Sequence, residues 1–276
     1  MADQEQMVVS PQGQKIYVQE WIPETVKGTV VLVHGLGEHV CRYEHVARAF
    51  NRSSYAVMGF DLPGHGRTGG VRGHIPSYDA VMDLVAFRLA DASRRFPGVP
   101  HFLYGHSLGG SLVLYYGLTR KPEVTGILCT SPALGLAKEA PFWQVTLVKL
   151  LAKVAPSMTI DNGLDRSGLS HDPAVIQAYQ DDPLVHGKIS LRLAVDLISN
   201  GQWIVAHAGA FPPIPLLLMQ GSRDRLVSPK ATDAFARGCS ARLTYKVWDG
   251  LYHELHNEFE QNETIQLMID WMDHQK

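Results

Sequence analysis

Tyr104-Gly105-His106-Ser107-Leu108-Gly109-Gly110 decides the fold. It sets Gly-x-Ser-x-Gly between an apolar run, Phe102 to Tyr104, and a helix-like stretch, Leu108 to Leu118. A serine in such a segment sits on a sharp, strained turn. The glycines two positions to either side let the strand and helix backbones pass closely, and the N-terminus of the following helix faces any developing negative charge. With 25 glycines in the chain the pattern alone is modest evidence. Its place after a strand and before a helix gives it weight.

The same alternation extends in both directions. Lys15 to Trp21 alternates apolar and polar residues as a half-buried strand would. Thr29 to Val33, Tyr55 to Phe60, Ile127 to Cys129, Leu216 to Met219 and Leu243 to Trp248 read as further strands, each stopping at a turn. Tyr43 to Phe50, Tyr78 to Phe96, Ala231 to Arg237 and Thr264 to Met272 read as helices. Apolar strands separated by amphipathic helices predict an α/β chain with a mostly parallel sheet covered on both faces. Its site belongs at the carboxyl ends of the strands. From about Pro132 to Ala208 only helix and turn patterns are visible, including Pro141 to Val154, the turn Asp161-Asn162-Gly163, Ala174 to Tyr179 and Leu191 to Ile198. This predicts a helical cap at 132–208 inserted into a core made of 1–131 and 209–276.

Ser107 needs a base, and in this arrangement the chain order is Ser, then Asp or Glu, then His. Of 13 histidines, His253 is favoured because it follows the last strand and the turn Asp249-Gly250; His256 is its main rival. Asp224, in Gln220-Gly221-Ser222-Arg223-Asp224, follows the strand before it and would orient the imidazole; otherwise it is a surface Asp paired with Arg223 or Arg225. Asp249 is too close to His253 in the chain to reach it easily. A tetrahedral intermediate also needs two aimed backbone N–H groups. Leu108 supplies one, and Val33-His34-Gly35-Leu36-Gly37-Glu38-His39 offers the Leu36 amide as the second.

These segments resemble the monoacylglycerol lipases, cap-bearing α/β-hydrolases near bacterial lysophospholipase-like esterases. The matching residues are His34-Gly35-Leu36-Gly37-Glu38-His39 with Arg42-Tyr43, Asp61-Leu62-Pro63-Gly64-His65-Gly66 and Gly105-His106-Ser107-Leu108-Gly109-Gly110. Also matching are Tyr179-Gln180-Asp181-Asp182-Pro183-Leu184, Gln220-Gly221-Ser222-Arg223-Asp224, and Tyr252-His253-Glu254-Leu255-His256-Asn257-Glu258. The likeness runs from about Lys15 to Met272, with Thr68 standing where such proteins commonly have Ser. It implies the α/β-hydrolase fold and hydrolysis of one long acyl chain from glycerol, with Leu36 and Leu108 as oxyanion donors. It further implies that Glu38, Arg42, Tyr179 and His256 line the polar alcohol end of the pocket, although Glu38 with Arg42 also reads as a structural ion pair. Lysophospholipase or broad carboxylesterase activity uses the same machinery. A non-catalytic receptor on this fold would have no need of Ser107, Asp224 and His253.

The remaining features narrow the setting. Hydrophobic residues make up 45% of the 276 and charged residues 19%, with a formal net charge of -2. Scattered basic residues exclude nucleic acid as a partner. The polar start, Met1 to Gln6, has no signal-like apolar core, and no apolar run nears the ~18–20 residues of a membrane span. Three cysteines, Cys41, Cys129 and Cys239, lack metal-ligand spacing. A cytoplasmic protein with reduced thiols is expected, without metal or organic cofactor. In Pro141 to Val154, Thr146, Lys149 and Lys153 form a narrow polar stripe, and apolar residues, Phe142 and Trp143 among them, fill the rest. Such a helix either lines a dry acyl pocket or meets a membrane surface peripherally. Both readings favour an apolar lipid ester as substrate.

Overall fold

In the computed structural model, which describes residues 2–138 and 141–275, strands and helices alternate along the chain. They are β1 (Ala2–Val9), β2 (Lys15–Ile22), β3 (Gly28–Val33), α1 (Glu44–Arg52), β4 (Tyr55–Phe60), α2 (Tyr78–Arg95), β5 (His101–His106), α3 (Leu108–Arg120) and β6 (Gly126–Thr130). Then follow α4 (Phe142–Val154), β7 (Thr159–Asp161), α5 (Pro173–Asp181), β8 (Lys188–Ser190), α6 (Leu191–Ala206), β9 (Leu216–Gly221), α7 (Pro229–Gly238), β10 (Leu243–Trp248) and α8 (Gln261–Asp273). Several helix starts follow from local chemistry: Ser77, Ser190 and Ser228 each accept a backbone N–H in the first turn of α2, α6 and α7.

Eight strands form one sheet in the order β1-β2-β4-β3-β5-β6-β9-β10. From β4 to β10 all neighbours are parallel, whereas β1–β2 and β2–β4 are antiparallel. Strands β3, β4, β6 and β9 are buried throughout, because helices cover both faces. This is the α/β-hydrolase fold. One apolar cluster joins Val31, Val33, Met58, Leu103 and Ile127 to α2 and α3; the other joins Val30, Leu32, Tyr104 and Leu128 to α1 and α8. Because β3, β5, β6, β9 and β10 run in one direction, the segments after them gather at one edge.

The structure corrects four expectations. The polar start belongs to β1, whose eight described residues pair in register with β2; the described side chains of Asp3 to Met7 are exposed, so no apolar pattern announced the strand. Met1 lies outside the described residues. Strand β2 is not half-buried: Gln19 and Glu20 are enclosed, and Glu20 is neutralised by Arg88 and Arg95 of α2. Strand β10, at the open edge, is exposed at alternate and outer positions instead of being continuously buried. The stretch between β6 and β9 is not free of strands, since β7 and β8 pair antiparallel across it.

That stretch lies against the carboxyl edge of the sheet. The His186 N–H donates to the Gly37 carbonyl at 2.9 Å, and the Glu254 N–H donates to the Leu169 carbonyl at 2.8 Å. His39 Nε2 and Asp182 Oδ2 are 2.7 Å apart, so the Asp-Pro-Leu segment is held against the loop after β3. Helix α4 packs on α6, but its other side is bare. Trp143 is 64% and Val154 86% exposed, and Leu147, Leu150 and Leu151 are exposed as well. These side chains therefore do not line a dry pocket; the Phe142 side chain lies outside the described residues. Among the described residues no helix is long and apolar enough to cross a membrane.

Candidate active site

Ser107 stands between β5 and α3 with φ 56°, a left-handed backbone that a non-glycine residue adopts at a cost of about 1–3 kcal/mol. Its flanking glycines are explained by contact. A Cβ on Gly105 would come 2.3 Å from the Gly109 carbonyl oxygen, and one on Gly109 would come 2.0 Å from the Val33 carbonyl oxygen. Only glycine permits α3 to cross β3 and β5 this closely, and that crossing lifts Ser107 out of the sheet. The turn is held by the Ser107 N–H donating to the Thr130 carbonyl and the Ala133 N–H donating to the Ser107 carbonyl, both at 3.0 Å.

His253 Nε2 lies 2.9 Å from Ser107 Oγ, and its Nδ1 lies 2.8 Å from Asp224 Oδ2. The imidazole and carboxylate are buried. Asp224 Oδ1 accepts the Leu226 and Val227 amides at 2.9 and 3.0 Å, and Oδ2 also accepts Gln220 Nε2 at 3.0 Å. Burial alone would raise the Asp224 pKa, but the adjoining imidazole and the two amides outweigh it and hold the carboxyl below its ordinary value. Burial would likewise lower His253; the Asp224 charge and hydrogen bond overcome it and raise the imidazole above its usual value. Asp224 is thus an acceptor that stays ionised, leaving the Nδ1 proton on His253 and a lone pair on Nε2 toward Ser107. Arg225 pairs with Asp165 rather than with Asp224. Asp249 is exposed and accepts Ser222 Oγ.

Leu108 follows the serine directly, and the loop that carries Leu36 packs against it through Gly35. Leu108 opens α3, so its N–H has no intrahelical acceptor. Gly35 packs against the nucleophile: a Cβ there would lie 3.2 Å from Ser107 Cβ. The two peptides around Gly35 are pinned. Its N–H donates to Glu38 Oε1 at 2.6 Å, and its carbonyl lies 2.8 Å from His34 Nδ1. Burial pushes the His34 pKa well down, and its Nε2 accepts the Leu62 amide at 2.9 Å. The remaining proton therefore sits on Nδ1 and is donated to the Gly35 carbonyl. In a trans peptide the next N–H points opposite to that carbonyl, so fixing one fixes the direction of the Leu36 N–H.

Of the four residues assigned by resemblance to the alcohol end, Glu38, Arg42 and Tyr179 are linked through Arg42, and His256 packs on Tyr43. Glu38, 3% exposed, accepts Gly35 N–H and Tyr43 Oη–H on Oε1 and Arg42 on Oε2. Arg42 also forks onto Glu254 and lies 4.6 Å over the Tyr179 ring. His256 is fully enclosed, its ring stacked 4.8 Å from Tyr43, and burial drives its pKa down to about 3. The ion-pair alternative is realised for Glu38 and Arg42. Three contributors carried no expected role. Gln220 bridges Thr232 to Asp224, Ser131 Oγ donates to the His253 carbonyl at 2.8 Å, and Glu254 holds Arg42. A glutamine closing an apolar strand, and a glutamate beside the base, were the available signals.

A family model described as serine aminopeptidase, S33, matches residues 24–260. The chain belongs to that family. In this S33 member Ser107, Asp224 and His253 follow β5, β9 and β10 in that order along one sheet edge. It is 35% identical over 263 residues to a monoacylglycerol lipase of Mycolicibacterium smegmatis, covering 94% of this chain and 93% of that one. The solved structure of a Paleococcus ferrophilus monoacylglycerol lipase superposes with a TM-score of 0.87 at 32% identity, covering 95% of this chain and 99% of that chain. It is also 37% identical over 259 residues, 92% of this chain, to an abhydrolase domain-containing protein of Dictyostelium discoideum, of whose length it spans 27%. The resemblance to monoacylglycerol lipases holds at the level of the family.

Proposed function

We propose that this protein is a serine hydrolase that cleaves acylglycerol esters, releasing fatty acid and glycerol from monoacylglycerol through an acyl-enzyme on Ser107. The observation that carries the reading is the unbroken hydrogen-bonded series from Asp224 through His253 to Ser107, and the Leu36 and Leu108 amides are assigned as its oxyanion donors. As Oγ attacks the acyl carbonyl, its proton passes to His253 Nε2, and the new oxyanion takes the two N–H groups. Collapse breaks the ester bond, and His253 returns the proton to the departing glycerol oxygen. Water then repeats both steps on the acyl-enzyme, freeing the acid and restoring Ser107.

A largely apolar cavity of about 580 Å³ under the stretch between β6 and β9 supports an acyl substrate. It is lined by Ala133, whose N–H bonds the Ser107 carbonyl, and Leu134, together with Val145 of α4 and Leu197 and Ile198 of α6. The stretch between β6 and β9 is proposed to act as the cap of this pocket. Glu38, Arg42, Tyr179 and His256 are assigned to fixing the loop that carries Leu36. Glycerol release from a long-chain monoacylglycerol, run beside lysophosphatidylcholine and a short nitrophenyl ester, tests the assignment. Monoacylglycerol is expected to give the highest kcat/KM; absence of glycerol release sinks it, and preference for another ester reassigns the substrate.

The bare side of α4 supports a peripheral membrane contact for a cytoplasmic enzyme. Trp143, Leu147, Leu150 and Val154 would enter the interface while Lys149 and Lys153 reach the headgroups. Replacing Leu147 and Leu150 together by Asp is expected to weaken binding to phosphatidylcholine–phosphatidylglycerol vesicles by about tenfold or more, with turnover of a soluble short ester unchanged. Equal sedimentation of the variant and the wild type with vesicles would contradict the contact.

A further inference from the structure

Two halves of the catalytic arrangement arrive from opposite ends of the chain. Leu36 sits on the loop after β3, and His253 on the loop after β10. Arg42 bridges them. Its Nη1 lies 2.5 Å from Glu38 Oε2 and 2.7 Å from Glu254 Oε1, while Nη2 lies 2.8 Å from Glu254 Oε2. Glu254 immediately follows His253 and is 2% exposed. Its backbone N–H is taken by Leu169, and Asn257 Nδ2 donates to its Oε2 at 2.7 Å. A two-pronged guanidinium–carboxylate contact fixes orientation as well as distance, which a single charge contact does not.

The other members are equally confined. Glu38 spends its remaining oxygen on Gly35 N–H and Tyr43 Oη–H, so any shift of Arg42 is passed to the peptide preceding Leu36. Burial opposes ionisation of Glu254, but Arg42 overrides it and holds the carboxyl far below its usual range. We propose that Glu254 is a positioning residue: through Arg42 and Glu38 it locks the loop bearing the base to the loop bearing the second oxyanion donor. Base and donor thereby keep one spacing around Ser107. The proposal rests on the serine-hydrolase reading above and adds the residue that keeps its two halves in register.

Glu254→Gln keeps the shape and removes the charge, whereas Glu254→Asp keeps the charge and shortens the reach. On a soluble nitrophenyl ester both are expected to lower kcat about 10- to 100-fold with KM within about twofold, the size of effect that a displacement near 1 Å produces. The pH profile separates them. The charges of Asp224, Glu254 and Glu38 act on His253, the His106 ring lies 4.8 Å from it, and the His256 ring lies 4.8 Å from that of His106. Removing the Glu254 charge takes away one of the groups that raise the His253 pKa, so the acid limb of kcat/KM moves to lower pH in the Gln variant and stays in place in the Asp variant. Arg42→Lys, which breaks the fork from the other side, is expected to reproduce the kcat loss if either Glu254 variant fails to fold. Wild-type kcat in a folded variant overturns the proposal, as does a loss matched by an equal fall in the folded fraction. A wild type inert to a fluorophosphonate instead overturns the underlying serine-hydrolase reading, and the two failures are thereby told apart.

Discussion

Ser107→Ala is expected to lower ester turnover by about 10⁴-fold or more while leaving the protein folded. Removing Oγ removes the atom that forms the acyl bond, and neither His253 nor the two amides can replace it. On the scale of about 1.36 kcal/mol per tenfold, the loss amounts to at least ~5.5 kcal/mol of barrier. Stability barely depends on that atom, whose contact is a single hydrogen bond to His253 on a partly exposed residue. The melting midpoint of the variant should stay within about 4 °C of wild type, as expected for at most 1 kcal/mol. A variant retaining a tenth of the activity would remove Ser107 from the mechanism.

Asp224→Asn is expected to cost about 10⁴-fold by a different route. Asp224 Oδ2 now accepts from both His253 Nδ1 and Gln220 Nε2, and Oδ1 accepts two amides. An asparagine that keeps its oxygen toward the Leu226 and Val227 amides must turn its NH₂ toward two donors. The relief is for His253 to move its proton to Nε2, where it can no longer take the serine proton. The pH profile also carries a sign. In the wild type the Asp224 charge raises the His253 pKa, and the base is active only when neutral, so activity falls as pH drops through that raised value. With the carboxylate gone, the acid limb of the residual activity moves to lower pH. Titration of kcat/KM for both proteins checks this, and an unmoved limb would mean that Asp224 does not set the charge on His253.

The strands that hold these residues were legible because a parallel sheet covered on both faces writes continuous apolar runs into the chain. Their ends located Ser107, Asp224 and His253, since parallel strands place their carboxyl ends together. Strand β1 was not legible: Ala2–Val9 is held by backbone pairing to β2 rather than by burial, and its described charged and amide side chains read as a solvated tail. Strands β7 and β8 are three residues each, too short to show a period. Glu20 misled for the opposite reason, because a charge inside an alternating strand looks solvent-facing until Arg88 and Arg95 are brought to it. The same holds for Glu254 and Arg42, which meet across 212 residues and could be paired only once the fold had closed.

Reaction with a fluorophosphonate, followed by peptide mapping, probes most directly whether His253 and the two amides activate the hydroxyl at position 107. The expected result is one stoichiometric adduct on Ser107, absent in Ser107→Ala and formed at least about 100-fold more slowly in His253→Ala. An unmodified wild-type protein, or an adduct on any other residue, would contradict it.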